Sequence, residues 1–206
     1  QAEFGRSTGG LFSVITKSGS NIFQGDLFGY YRGKSWSPAN VERRRQRELV
    51  TYADRASDAD VGASIGGALV RDRLWFFGAF DPGRQTTYLG GQVRTGAAVN
   101  RAHRQYDRTA NAYAAKATWA PSSSRTLVVS VFGDPTARDG WLTTPNADAS
   151  AALRAERTGG HNVTARYSGV LGRSWYLEAT AGRHLQRTTL DPATETGRAV
   201  PHQIDQ

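Results

Sequence analysis

At 206 residues, with 23 Gly, 8 Tyr, 8 Phe and 5 Trp, the chain is sized for one domain, and its composition tilts towards strands rather than helices. No run approaches the roughly 18 to 20 consecutive apolar residues of a membrane helix, and the lack of Cys excludes disulfides, thiolate chemistry and most zinc motifs. The net charge of +8 invites an anionic partner, either nucleic acid or the phosphates of an outer leaflet.

The first predicted strand, Leu11 to Lys17, follows Gly9-Gly10 and carries apolar groups on both faces. That pattern suits a strand enclosed by protein. Ser18-Gly19-Ser20-Asn21 turns the chain into a second strand, Ile22 to Arg32. Phe23, Gly25, Leu27, Gly29 and Tyr31 share one of its faces; Gln24, Asp26, Phe28, Tyr30 and Arg32 share the other. Gly33 to Asp60 reads as a long polar connection whose centre suits a short helix. A hairpin then runs from Val61 to Asp81 around the charged turn Arg71-Asp72-Arg73. Its Trp75, Phe76, Phe77 and Phe80 would need cover in a soluble sheet, whereas a lipid-facing wall needs none.

Pro82 to Thr109 reads as a second long polar connection. Strands follow over Asn111 to Trp119 and Leu127 to Val131, joined by the turn Pro121 to Arg125. After a loop from Pro135 to Gly159, Asn162 to Leu171 and Trp175 to His184 alternate cleanly about the turn Gly172-Arg173-Ser174, and the remainder reads as the start of another loop. Long and short connections thus alternate, as they do in outer-membrane barrels but not in ordinary sandwiches. The period places Gln24, Asp26, Tyr30, Arg32, Lys116, Thr118, Asn162, Thr164, Arg166 and Glu178 towards the lumen. Trp75, Trp119 and Trp175 each lie close to a short turn, as a periplasmic aromatic girdle would. The expected fold is all-β: an antiparallel up-and-down transmembrane β-barrel fragment of about seven barrel strands with one terminal plug strand.

Read together, GRSTGGLFSVITKSGSNIFQGDLFGYYR (Gly5 to Arg32) and IGGALVRDRLWFFGAFD (Ile65 to Asp81) resemble the TonB-dependent outer-membrane receptors of the Oar-like branch. Ala68 stands where that family usually has Pro, and Gln24 and Asp26 replace the commoner His and Ser. The resemblance implies that residues 1–20 end the plug domain and residues 21–206 begin the barrel, out of about 22 strands in such receptors. With no Met in the chain, a longer parent protein is expected. The resemblance further implies an outer-membrane location in a Gram-negative bacterium and import of an unknown extracellular substrate, powered by the TonB complex through an N-terminal part. Outer-membrane lipids and lipopolysaccharide are the other expected partners, with no enzymatic activity, no cofactor and no metal. A non-transporting adhesin or structural barrel is the alternative.

Two motifs point elsewhere. Gly5-Arg6-Ser7-Thr8-Gly9 matches the nucleophile elbow of serine hydrolases, but that elbow needs a helix after its serine, and here a strand follows. Arg43, Arg44, Arg45 and Arg47, near Trp36 and Tyr52, could neutralise nucleic-acid phosphates. Glu42 and Glu48 flank the cluster, and in the barrel reading it meets anionic headgroups at the outer leaflet instead, with no nucleic acid.

Overall fold

A computed structural model describes residues 17–36, 51–95, 98–142, 153–172 and 174–199. Nearly all of them form one antiparallel sheet. Its strands are β1 (Gln24–Arg32), β2 (Thr51–Val70), β3 (Leu74–Thr95), β4 (Ala98–Ser122), β5 (Arg125–Gly133), β6 (Thr136–Leu142), β7 (Leu153–Leu171) and β8 (Trp175–Pro192). A 3-10 turn, Lys34–Trp36, follows β1, and a five-residue helix, α1 (Glu195–Ala199), follows β8.

Strands β5 and β6 lie end to end between β4 and β7. Tyr113 pairs with Gly133 and Ala110 with Thr136, so the register on β4 continues unbroken from one to the other. The same holds on β7, where Gly133 meets His161 and Thr136 meets Thr158. The break falls at Pro135, which has no N–H to give to the ladder, while its carbonyl accepts from Asn111 N at 2.9 Å. The eight strands are therefore seven staves, as the sequence led one to expect. Every pairing is antiparallel. The turns after β2, β4 and β7 consequently stand at one end of the sheet and the connections after β1, β3 and β6 at the other.

The extent of the staves differs from the sequence reading. Pro82 to Thr109 is not a loop: β3 and β4 pair without a register shift from Leu74 opposite Trp119 to Thr95 opposite Ala98. Strand β2 already begins at Thr51, β6 occupies part of the expected loop Pro135 to Gly159, and β8 runs to Pro192. The 22 residues of β3 are about twice the nine to eleven that a tilted strand needs to cross hydrocarbon. Beyond that span both faces meet water, so a strand there has no reason to alternate.

No hydrophobic residue is buried among those described. The sheet is a single layer, and most of its apolar residues collect on one face. Register carries that face across the staves in rows: Ala63, Phe80 and Tyr113; Ile65, Ala115, Val131 and Val163; Phe76, Ala117, Val129, Ala165 and Ala181; Leu74, Trp119, Leu127, Tyr167 and Ala179. Val61, Ile65, Trp119 and Val163 stand 58, 54, 48 and 44% exposed. A patch so broad is far beyond what a water-soluble monomer carries, and it has the composition of a lipid-facing wall. The one charge in these rows, Arg183, pairs with Val163 near the upper border, where its long stem can lift the guanidinium to the headgroups.

Candidate functional site: the polar face and the segment that crosses it

At the level of the apolar rows, the opposite face carries most of the ionisable groups. Row by row, register joins Gln24, Gly66, Phe77, Lys116, Ser130 and Thr164; Asp26, Ser64, Ala79, Ala114, Phe132, Asn162 and His184; and Trp75, Thr118, Val128, Arg166 and Thr180. Tyr30 follows Asp60, Arg32 follows Asp58, and Glu178 follows Ser168. The ten polar residues singled out by alternation thus stand on one face, the one opposite Val129 and Val163. Several make cross-strand bonds there. Ser130 Oγ and Thr164 Oγ1 are 2.6 Å apart, and Arg166 pairs with Glu178, whose Oε2 also accepts from the Tyr176 hydroxyl on its own strand at 3.1 Å.

Towards the end with the longer connections, the same face bears a charged row that the sequence reading left inside loops: Asp58, Gln85, Arg108, Arg138 and Glu156. Arg32 pairs with Asp58, which also accepts from Gln85 Nε2 at 2.8 Å, and Arg138 Nη1 lies 3.1 Å from Glu156 Oε2. Asp60 and Asp81 stand in neighbouring rows beside them and line, with Arg108, a hollow of about 220 Å³. No hydrophobic alternation marks these residues, because the opposite face is polar at that level too.

Residues 17–21 lie over this polar face near the short turns. Lys17 Nζ is 3.2 Å from Asp26 Oδ2, which Ser64 Oγ also approaches to 3.2 Å. Gly19 passes so close to the wall that a Cβ on it would lie 2.8 Å from Gly67 O, and a Cβ on Gly66 would come within 3.5 Å of Gly19 Cα. Only glycine on both sides permits that approach. Asn21 then fastens the segment to the first turn. Its Nδ2 donates to Asp72 Oδ1 at 2.5 Å, while its Oδ1 accepts from Asp72 N at 3.0 Å and from Trp75 Nε1 at 2.8 Å. Asp72 has φ +61°, a left-handed conformation that Asp tolerates better than a branched residue.

Trp75 therefore separates from the other two tryptophans of the expected girdle. It pairs with Thr118 on the polar face and is committed to Asn21, whereas Trp119 and Trp175 stand on the apolar face. Alternation within β3 already puts Trp75 and Phe76 on opposite sides; nearness to a turn alone does not fix a face. The basic cluster Arg43, Arg44, Arg45 and Arg47 lies outside the described residues, as do the hydrolase-like Gly5 to Gly9 and the expected plug strand Leu11 to Lys17 except for its last residue.

Comparison with known proteins agrees with this architecture. Residues 15–96 match a family model described as an outer membrane beta barrel domain. The chain is 41% identical over 86 residues to the TonB-dependent transporter Oar of Myxococcus xanthus, an alignment covering 39% of this chain and 8% of that protein. No solved structure matches. A single-layer sheet with one apolar and one polar face, a match to an outer-membrane barrel domain and 41% identity to part of Oar together support an outer-membrane β-barrel segment similar to the Oar-like TonB-dependent receptors.

Proposed function

We propose that the chain supplies the plug exit (residues 1–20) and the first seven staves (residues 21–206) of an importer that takes a substrate from the cell surface into the periplasm. The polar face is its lumen, and the TonB complex, acting through an N-terminal part, supplies the energy. No bond is made or broken. Trp119 and Trp175 sit at the periplasmic interface, and the Arg43 to Arg47 cluster meets lipopolysaccharide outside. The observation that carries this reading is the course of residues 17–21 along the polar face, tied to the wall by Asn21 and admitted by paired glycines. A barrel without a plug has no use for a strap entering from inside.

Cysteine at Ser18 in the full-length protein tests it. During uptake, labelling by a thiol reagent delivered to the periplasm should rise when TonB and the proton gradient are both present, and fall to background when either is removed. Labelling that ignores TonB and the gradient would instead favour a non-transporting structural barrel.

A further inference from the structure

The outward face carries a second feature, just above the apolar belt. On the rows of Tyr113, Gly133 and His161 the belt ends, with the Tyr113 hydroxyl bonded to His161 Nδ1. The next outward positions, Asn111, Pro135, Gly159 and Arg187, begin a groove of about 240 Å³, and Thr109, Arg157 and Thr189 continue it. Its hollow has a sequence cause. Gly159, at φ +126°, presents no side chain, and a Cβ there would lie 2.6 Å from Asp134 O. Pro135 interrupts the stave beside it.

We propose that this groove binds a phosphate group of a phosphorylated glycolipid in the outer leaflet, with Arg187 and Arg157 as its cationic contacts and Asn111 and Thr189 as neutral donors. The site rests on the outer-membrane orientation given above but not on transport. Three observations converge on it. First, the groove opens on the same face as Val131, Val163 and Leu185 and lies two to six residues beyond them along each stave, the level at which hydrocarbon yields to headgroups. A lipid whose acyl chains cover the belt brings its phosphate to this height. Second, Arg187 makes no ion pair among the described residues and is exposed. Third, Arg157 is exposed: its one ion pair among the described residues is with the exposed Asp139 at 2.9 Å, and its Nη1 donates to the Glu156 carbonyl at 3.1 Å and, at 3.5 Å, to that of Arg138; an exposed ion pair of this kind yields readily to a phosphate that accepts two parallel N–H bonds. Asp139 sits on the far side of Arg157 from Arg187, so the anion enters between the two guanidinium groups rather than against the carboxylate.

The test uses the full-length protein, purified in detergent and titrated by native mass spectrometry with bisphosphorylated and with dephosphorylated lipid A. The bisphosphorylated form should bind at least about tenfold more tightly, and Arg187→Ala with Arg157→Ala should remove that preference, since each substitution deletes a charge-assisted contact. Arg187→Lys, which keeps the charge but loses the planar fork, should retain part of it and shows that a loss is not general misfolding. Inorganic phosphate at millimolar concentration should compete only weakly, because the acyl chains contribute. Equal binding of both lipids, or a preference that survives the double substitution, would overturn the site while leaving the importer reading untouched; loss of heat-modifiable migration in the parent protein would instead count against the barrel itself.

Discussion

Placing an arginine on either side of one stave distinguishes a lipid-facing wall from an ordinary sheet. Val129 is the clearest position: it stands between Ala117 and Ala165 in the middle apolar row, 40% exposed in the bare sheet, with Leu127 below and Val131 above. Val129→Arg would put a guanidinium near the bilayer midplane at about 2–4 kcal/mol, which is roughly 30- to 900-fold in the folding equilibrium. Its neighbour Ser130 points the other way and shares a 2.6 Å hydroxyl bond with Thr164. Ser130→Arg gives up that bond, worth about 1 kcal/mol, and leaves the new charge on the polar face near Arg166 and Lys116. Refolding of the full-length protein into lipid vesicles across a urea series, read by heat-modifiable migration, measures both. The expected order is Val129→Arg far worse than Ser130→Arg. Equal costs, or the reverse order, would refute the assignment of faces for the whole sheet, because register links every stave to these two residues.

Three further outcomes follow from particular contacts. Asn21→Ala removes three hydrogen bonds from the first turn and should cost about 1–3 kcal/mol, with faster hydrogen exchange confined to residues 71–75. Glu178→Gln should cost less than about 1 kcal/mol in the same urea series, since its pair with Arg166 is exposed on the polar face; a cost above 3 kcal/mol would mean that the pair is buried in hydrocarbon. In whole cells, cysteine at Thr86, on the extension of β3, should react with an impermeant reagent while cysteine at Ser123 should not, and equal reaction at both would overturn the orientation of the staves.

How much of this was legible in the sequence depends on what solvent each residue meets. Where one face meets lipid and the other water, alternation is forced, and the ten polar positions from Gln24 to Glu178 fell on one face together. From Pro82 to Thr109 both faces meet water, so Gln85, Arg108 and Thr109 carry no period, and a continuous ladder of β3 and β4 read as loop. The β5–β6 stave was cut for a different reason: Asp134-Pro135 looks like a turn, and only the shared register on β4 and β7 joins its halves. Trp75 shows the third limit, since a residue's level along a strand follows from its distance to the turn, but its partner does not. Its face follows from alternation within β3, but the partner of its indole N–H, Asn21, lies 54 positions earlier in the chain. The same hydrogen bonds tie the strap at residues 17–21 to the end of the wall that faces away from the charged row at Asp58, Arg108 and Glu156. On the proposal that residues 1–20 end a plug, a pull along it would reach the exposed, weakly held Lys17–Asp26 pair before it reached Asn21, which makes three hydrogen bonds to the wall.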